Sequence, residues 1–251
     1  MKTFLITGAG TGIGAAAAKH LAGHGATVIL AGRRANALEE VLKTLPGKGH
    51  GLMPVDVSDK KALNVALKEV MGDNALDGVF ANAGIGGENR YGESDRWAEI
   101  IDINLSGSYY TAMECLPYLK RSKEKYRNLV ISSSCLARFG VPYYTAYCAS
   151  KTGVTGLTRA LAVELAPSRI LVNAILPGWV NTEMARAGIQ KLADHTHKPY
   201  EKALKEQLGF LPLQKMSEPD EIAALVGFLF SNVQTSITGQ CIDINNGSHM
   251  I

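Results

Sequence analysis

The chain has 251 residues, of which 46% are hydrophobic, and this is enough for one large buried core. Its formal net charge is only +3, and basic residues alternate with acidic ones, so the sequence indicates neither nucleic acid nor a membrane surface as a partner. No stretch approaches the ~18 consecutive apolar residues of a membrane span, and we expect a cytoplasmic protein. The four cysteines show neither metal-site nor disulfide spacing, so we expect reduced thiols and no bound metal.

Short runs of apolar or β-branched residues alternate with longer helical patterns along the chain. The seven runs cover residues 4–6, 27–31, 51–55, 78–81, 129–132, 170–176 and 241–244. This alternation predicts βαβ units that build one parallel sheet with helices on both faces. The predicted fold is therefore α/β: a Rossmann-like, doubly wound sheet in a single dinucleotide-binding domain that spans residues 1–251. In such sheets ligands bind at the carboxyl ends of the strands.

A glycine-rich turn follows the first predicted strand, where the sequence reads Thr7-Gly8-Ala9-Gly10-Thr11-Gly12-Ile13-Gly14. Glycines allow the backbone to approach a pyrophosphate closely, and the helix that follows presents free N–H groups to it. Glycine-rich turns also occur for purely steric reasons, so the turn alone does not establish a nucleotide site. The residues predicted to contact the cofactor here are Gly8, Thr11, Gly12, Ile13 and Gly14.

The second predicted strand ends in Gly32-Arg33-Arg34, without a carboxylate. In folds of this kind an acidic residue at this point accepts hydrogen bonds from the ribose 2′-hydroxyl of NAD, whereas an arginine accommodates a 2′-phosphate. We therefore predict that the cofactor is NADP(H) in preference to NAD(H), with NAD(H) still possible. Arg33 is the predicted phosphate-binding residue, because Arg34 begins the next helix.

Polar or small residues also follow the third and fourth predicted strands. Asp56 is placed to accept a hydrogen bond from the adenine amino group with Val57 packing nearby, or alternatively to cap a helix that starts near Ser58. The sequence leaves both interpretations open. After the fourth strand, Asn82, Ala83 and Gly84 are predicted to fix the strand end and to let the cofactor ribose lie against the backbone.

The segment Tyr147-Cys148-Ala149-Ser150-Lys151, with Ser134 thirteen residues earlier, is the strongest catalytic pattern. On a helix Tyr147 and Lys151 share a face, so the lysine charge can lie beneath the phenol and favour its ionised form. A free tyrosine has a pKa of about 10, and we expect Lys151, together with a cationic cofactor ring, to lower it. Tyr147 is thus the predicted general acid and base, and Lys151 can also hold the cofactor ribose hydroxyls.

Together these segments resemble the short-chain dehydrogenase/reductase family over essentially the whole chain. The resemblance rests on the glycine turn, residues 81–84, the serine, tyrosine and lysine just described, Asn104, and Pro177-Gly178 with Thr182, all in the family's order. It implies a nicotinamide-dependent oxidoreductase that acts on secondary alcohols and ketones. The family's 3-oxoacyl-thioester reductases and its cyclic-alcohol dehydrogenases both remain possible. The resemblance also implies a homotetramer.

The resemblance assigns further residues to roles. Asn104, Ser134, Tyr147 and Lys151 would form the catalytic set, in which Asn104 positions a water that passes protons to Lys151. Ser134, rather than the neighbouring Ser133, would hydrogen-bond the reacting oxygen. Thr182 would bind the nicotinamide carboxamide. The residues that would form the wall beside the nicotinamide ring are Pro177, Gly178 and Val180.

Residues 181–216 fit the strand and helix alternation poorly. They predict either a substrate lid over an apolar cleft or a solvent-exposed pair of amphipathic helices. Aromatic and apolar residues near the reacting carbon suggest a bulky, cyclic or acyl substrate. The predicted substrate-contacting residues are Ser134, Tyr144, Trp179 and Met184.

Two other functional classes are compatible with a glycine turn on this fold. One is a catalytically inactive NAD(P)-binding protein with a regulatory or structural function. The other is a methyltransferase, in which the turn would hold a different nucleotide-like ligand. The intact Asn104, Ser134, Tyr147 and Lys151 argue against the inactive protein.

Overall fold

The computed structural model describes residues 1–231 and 233–250. Within these residues seven parallel strands form one sheet in the order β3-β2-β1-β4-β5-β6-β7. The strands are β1 (Thr3–Thr7), β2 (Thr27–Gly32), β3 (Gly51–Pro54), β4 (Gly78–Ala81), β5 (Arg127–Ser132), β6 (Ile170–Pro177) and β7 (Cys241–Ile244). Each of the seven predicted runs corresponds to one strand. The predicted α/β class and doubly wound sheet are therefore confirmed.

Helices connect successive strands and cover both faces of the sheet. Those in the described residues are α1 (Gly12–Gly23), α2 (Ala35–Lys43), α3 (Lys60–Met71), α4 (Trp97–Ile101), α5 (Gly107–Arg121), α6 (Thr145–Leu165), α7 (Glu183–His195), α8 (Tyr200–Gly209) and α9 (Pro219–Phe230). A π-helical turn, Asp102–Ser106, joins α4 directly to α5.

Two apolar layers, one on each face of the sheet, hold the fold together. Along β1 the side chains alternate, so that Leu5 packs into one layer and its neighbours Phe4 and Ile6 into the other. The layer of Phe4 contains α1 and α9, and the ring of Phe230 stacks on Phe4 with centroids 4.9 Å apart. Because both faces are buried, the strands have almost continuous apolar sequences.

The strand order places the functional motifs at one edge of the sheet. Strands β1, β4, β5 and β6 are neighbours, and all are parallel, so their carboxyl ends meet. The order reverses between β1 and β4, which is where ligands bind in open α/β sheets. The glycine turn and residues 82–84 follow these two strands, and Ser134 and Gly178 follow β5 and β6.

The segment 181–216 forms α7 and α8, an amphipathic helix pair with a small core of its own. Ile189, Ala193 and Ala203 are buried in this core, and Trp179 packs against them. Several other side chains of α7 are exposed, including Met184 and Lys191. Segment 181–216 is thus a pair of amphipathic helices, which was one of the two predicted alternatives. Closure of this pair over a substrate remains a prediction.

Candidate active site

Helix α6 places Tyr147 and Lys151 one turn apart, as the four-residue spacing predicts. The Lys151 Nζ lies 5.7 Å from the centroid of the Tyr147 ring. The side chain of Lys151 is buried, and its Nζ donates a hydrogen bond to the backbone carbonyl of Ser132 at 2.9 Å. This carbonyl, at the end of β5, fixes the ammonium beneath the phenol.

The two serines that follow β5 have different partners. The hydroxyl of Ser134 accepts from the Leu136 N–H at 3.2 Å and lies beside the phenol of Tyr147, whose pKa it lowers. The hydroxyl of Ser133 instead donates to the backbone carbonyl of Lys151 at 2.8 Å and is buried. The structure thus brings Ser134, and not Ser133, to the tyrosine, and it gives Ser133 the task of joining β5 to α6.

Asn104 lies in the π-helical turn, a feature that is frequent at functional sites. Its side chain is fully buried and is held by the backbone of Ile85, whose N–H donates to Oδ1 at 2.8 Å and whose carbonyl accepts from Nδ2 at 3.0 Å. Its Nδ2 also lies 3.2 Å from the Ser150 Oγ. Asn104 therefore ties the loop after β4 to α6. Sequence reasoning missed Ile85, because a backbone contact leaves no mark on residue identity.

Burial moves the pKa values of Tyr147 and Lys151 in opposite directions. It raises the pKa of Tyr147 to about 12, and the neighbouring Ser134 hydroxyl opposes this rise without cancelling it. It lowers the pKa of Lys151 to about 8. The expectation of a lowered phenol pKa is therefore wrong for the protein alone. Burial removes the phenolate from water, and this cost is larger than the stabilisation that its neighbours provide.

These shifts predict how folding stability depends on pH. Between pH 8 and pH 10 the unfolded chain keeps its lysine protonated while Lys151 in the folded chain loses its proton, so stability should rise with pH. The rise attributable to Lys151 should be about 2–3 kcal/mol, since one pKa unit corresponds to about 1.4 kcal/mol. Above pH 10 the raised pKa of Tyr147 should reverse the trend, because the unfolded phenol ionises first. Urea unfolding from pH 7 to pH 11 measures both parts. A Lys151→Met variant that kept the rise between pH 8 and pH 10 would contradict the assignment.

The glycine turn packs directly against the loop after β4. The Thr7 hydroxyl accepts hydrogen bonds from the backbone N–H groups of Asn82 and Ala83, both at 3.0 Å, and the Asn82 Nδ2 donates to the Thr7 carbonyl at 3.1 Å. Gly8 has a φ of +67°, and a Cβ there would lie 2.9 Å from the Ala83 Cα. Only glycine fits this close approach.

At two of the predicted cofactor residues, Gly12 and Gly84, the neighbouring side chains approach the backbone closely. A Cβ at Gly12 would lie 3.1 Å from the Cγ2 of Thr182, and one at Gly84 would lie 3.1 Å from the Asn104 Oδ1 and 3.4 Å from the Lys151 Nζ. The N-cap of α1, Thr11, makes no side-chain capping bond, so the first N–H groups of this helix are available. These features fit a dinucleotide whose pyrophosphate lies on the turn.

Several wall residues predicted beside the nicotinamide ring also have structural tasks. Thr182 caps α7, since its hydroxyl accepts from the Ala185 N–H at 3.3 Å. Val180 is buried and pairs with Ser217 in an isolated β-bridge. Pro177 ends β6, and a Cβ at Gly178 would lie 3.0 Å from the Cα of Asn245. Their contacts with a cofactor remain predictions.

Arg33 and Asp56 face each other at the carboxyl ends of β2 and β3. The Arg33 Nη1 lies 3.8 Å from the Asp56 Oδ2; the Arg33 side chain is mostly exposed and that of Asp56 is partly exposed. The Asp56 Oδ1 accepts from the N–H and the hydroxyl of Ser58 at 2.9 and 2.7 Å. Helix α3 begins at Lys60 and is capped by Asp59, so the alternative in which Asp56 caps a helix near Ser58 is wrong. Asp56 closes the turn that precedes the helix, and Val57 beside it is buried.

Tyr144 and Met184 lie beside Tyr147, as expected for residues near a substrate. The ring of Tyr144 meets that of Tyr147 edge-on, with centroids 6.2 Å apart. A Cβ at Gly86 would lie 3.1 Å from the Met184 Sδ and 3.9 Å from the Tyr147 Cε2. Trp179 packs instead against Gly188 of α7. No sequence pattern singles out Gly86, whose lack of a side chain leaves room for Met184 beside the phenol.

Known proteins share both the sequence pattern and the fold. The family described as enoyl-(acyl carrier protein) reductase matches residues 8–249. The chain belongs to the short-chain dehydrogenase/reductase family. Among curated members, the 3-oxoacyl-[acyl-carrier-protein] reductase FabG of Thermotoga maritima is 34% identical over 253 residues, which cover 98% of this chain and 97% of the relative. The oxidoreductase UcpA of Salmonella typhimurium is 36% identical over 255 residues, which cover 98% of this chain and 94% of the relative.

Solved short-chain dehydrogenase/reductase structures agree closely with this fold. A variant of actinorhodin polyketide ketoreductase, solved with NADPH, gives a TM-score of 0.92 at 28% identity and covers 98% of this chain and 97% of its own. Levodione reductase gives a TM-score of 0.88 at 31% identity, and the match covers 98% of this chain and 96% of the reductase chain. The chain is thus an NAD(P)-dependent oxidoreductase that transfers hydride between the nicotinamide and a ketone or secondary alcohol. These similarities give no support to a methyltransferase or to an inactive protein.

Within residues 1–231 and 233–250, no helix has the length and apolar character needed to cross a bilayer.

Proposed function

We propose that this short-chain dehydrogenase/reductase reduces a ketone with NADPH and that Tyr147 supplies the proton. One observation carries the proposal: the Ser134 hydroxyl and the Tyr147 phenol lie beside each other, next to the buried Lys151. A hydroxyl and a phenol that share one point in space form a two-donor site for a carbonyl oxygen.

In this mechanism the bound nicotinamide supplies the hydride to the carbonyl carbon. Tyr147 gives its phenolic proton to the carbonyl oxygen, and the Ser134 hydroxyl donates a hydrogen bond to the same oxygen. Lys151, held by the Ser132 carbonyl, places a positive charge near the phenolate that forms. Asn104 keeps the loop after β4 in place through Ile85, and its task of positioning a water for proton return to Lys151 belongs to this proposal.

The protonation state of the phenol determines which direction Tyr147 can catalyse from its resting form. With a pKa of about 12, Tyr147 is protonated at neutral pH, which is the form that reduction requires. Oxidation of an alcohol needs the phenolate, so its rate should increase with pH well above neutrality. We therefore propose that resting Tyr147 is ready for reduction at pH 7, while the relative concentrations of the two cofactor forms and of substrate and product set the net direction.

The surroundings of Tyr147 support a substrate with apolar surface next to the ketone. Tyr144 and Met184 flank the phenol. Several relatives are named 3-oxoacyl-[acyl-carrier-protein] reductases, and a solved neighbour is a polyketide ketoreductase, so 3-oxoacyl thioesters are the first substrates to test. NADPH oxidation should be followed with a 3-oxoacyl thioester, a cyclic ketone and a 2-enoyl thioester in parallel. Turnover of the enoyl substrate alone would overturn the proposal that a ketone is reduced.

The preference for NADP(H) over NAD(H) should depend on Arg33. In Arg33→Ala the exposed guanidinium at the end of β2 is lost, so the Kd for NADPH should rise by about tenfold while that for NADH changes little. The remaining Asp56 carboxylate, 3.8 Å from the lost group, should disfavour a phosphate further. Fluorescence titration with both cofactors measures the two constants.

The matched control for this experiment is Arg34→Ala. Arg34 stands at the N-cap of α2 without a side-chain capping bond, so its removal should affect both cofactors equally and only slightly. An unchanged NADPH affinity in Arg33→Ala, or a wild-type kcat/KM that is higher with NADH, would show that the assignment is wrong.

We further propose a homotetramer in the cytoplasm. Exposed apolar side chains on α6 and α9, such as Val163 and Phe228, support association between copies. We expect the C-terminal residues 246–251, which are polar and then apolar, to pass across an interface between copies, and Ile251 among them lies outside the described residues. Light scattering at micromolar protein should give about four times the mass of one chain. A monomeric mass would contradict the proposal.

A further inference from the structure

Asn89, in the loop between β4 and α4, caps the helix that carries Tyr147. Its side chain is 93% buried, since its relative exposure is 7%. The Asn89 Oδ1 accepts from the Ala146 N–H at 2.8 Å and from the Thr145 hydroxyl at 3.0 Å. The N-cap residue of α6 itself, Tyr144, makes no side-chain capping bond. A residue 57 positions earlier in the chain therefore supplies the missing cap, one residue before the phenol.

The loop that contains Asn89 also contacts Tyr143, which lies just before the start of α6. Tyr143 has a φ of +66°, a left-handed conformation that is unfavourable for a bulky residue. Its carbonyl accepts a hydrogen bond from the Asn89 N–H at 2.8 Å, and the Arg90 guanidinium lies 4.0 Å above its ring. These contacts maintain the strained turn that sets the direction of the first turn of α6.

The Asn89 side chain reaches a second helix through Asp95. Its Nδ2 donates to the Asp95 Oδ1 at 3.2 Å, and the same oxygen accepts from the Trp97 N–H, at the start of α4, at 3.0 Å. Helix α4 runs directly into the π-helical turn that contains Asn104. One buried amide thus joins the beginnings of the two helical segments that carry Tyr147 and Asn104.

We propose that Asn89 is a positioning residue for Tyr147, and this inference rests on the proposed function of that tyrosine. Asn89 sets the position of the phenol by capping α6 and by holding α6 against α4. A misplacement of about 1 Å in a reacting group costs on the order of 100-fold in rate. Because the amide uses both its acceptor and its donor in this contact, a residue that supplies only one of them leaves a buried polar group unsatisfied.

The first test compares Asn89→Ala with Asn173→Ala. Asn173 is also buried and bridges backbone groups, those of Ile237 and Gln240, but it lies in the middle of β6, four residues before the carboxyl end of the strand. In Asn89→Ala, kcat should fall by about 10- to 100-fold, while KM for the ketone and Kd for NADPH change by less than about threefold. Asn173→Ala should lower the melting temperature and leave kcat close to wild type. Equal loss of kcat in both variants would overturn the proposal.

A second test exchanges the two partners of the hydrogen bond. Asn89→Asp alone places two carboxylates against each other and should lower kcat. In the double variant Asn89→Asp with Asp95→Asn, the carboxylate at position 89 can still accept from the Ala146 N–H, while the amide at position 95 donates to it. This double variant should have a higher kcat than Asn89→Asp, although the amide nitrogen at position 95 cannot accept from the Trp97 N–H as the Asp95 Oδ1 does. A folded double variant with a kcat no higher than that of Asn89→Asp would show that the contact does not position the phenol.

Hydrogen exchange provides a readout that needs no turnover. The amide protons of Ala146 and Tyr147 should exchange faster in Asn89→Ala than in wild type, and unchanged exchange would overturn the inference. If Asn89→Ala does not fold, the double variant Asn89→Asp with Asp95→Asn provides the test. If the wild-type protein turns over no ketone, the proposed function fails, but hydrogen exchange still measures whether Asn89 caps α6.

Discussion

Tyr147→Phe should lose turnover almost completely while it binds NADPH as wild type does. The substitution removes only the hydroxyl that gives its proton to the carbonyl oxygen, and loss of a positioned acid typically costs about 100- to 10,000-fold. The ring remains to pack against Tyr144, and Lys151 keeps its bond to the Ser132 carbonyl, so the cofactor residues are undisturbed. Steady-state NADPH oxidation with a responsive ketone gives kcat, and fluorescence titration gives the cofactor Kd.

Tyr118→Phe is the matched control for this substitution. Tyr118 is a buried tyrosine of α5 whose pKa is also raised by burial, but it packs in the apolar core with Arg121 over its ring. Its variant should keep wild-type turnover. If Tyr147→Phe retained more than about a tenth of wild-type kcat, another group would have to supply the proton.

Lys151→Met should differ from Tyr147→Phe because it weakens both cofactor binding and rate. The thioether chain fills the buried space but removes the donor held by Ser132 and the charge 5.7 Å from the phenol ring. We expect a loss in kcat of about 100-fold or more, together with a rise of about tenfold in the Kd for NADPH. The variant should be more stable than wild type at pH 7, since a buried ammonium is no longer required.

The combination of these effects separates a catalytic lysine from a merely structural one. Lys61→Met, on the exposed surface of α3, serves as the control and should change neither constant. A Lys151→Met variant with normal NADPH affinity would contradict the proposed contact with the cofactor ribose. A variant with normal kcat would contradict its effect on the phenol.

The fold and the proximity of Tyr147 to Lys151 were predictable because they have local signatures. Buried parallel strands have continuous apolar sequences, and a spacing of four on a helix brings Tyr147 to Lys151. The partners that hold these residues were not predictable, because they are backbone groups of Ile85 and Ser132 or a side chain from a distant loop, Asn89. A backbone carbonyl or N–H is available at almost any residue, so its use cannot be inferred from sequence.

The direction of the phenol pKa shift shows a second limit of sequence reasoning. The spacing of Tyr147 and Lys151 establishes that a positive charge is near, but it does not establish how much water remains around either group. In the folded chain burial dominates, and it raises the pKa of Tyr147 and lowers that of Lys151. Desolvation depends on packing from β5, α6 and the loop after β4 together, and no single segment of sequence contains it.

The hydrogen bond from Lys151 to the Ser132 carbonyl has a consequence for how many donors the enzyme can offer its cofactor. An ammonium carries three N–H groups, and within the described residues one of them is used by this carbonyl, which leaves two for the two hydroxyls of a ribose. A neutral amine has only two N–H groups, so deprotonation at a pKa of about 8 leaves one. Cofactor affinity should thus weaken in mildly alkaline solution because Lys151 has one N–H fewer for the ribose hydroxyls, even at a pH where Tyr147 has not begun to ionise.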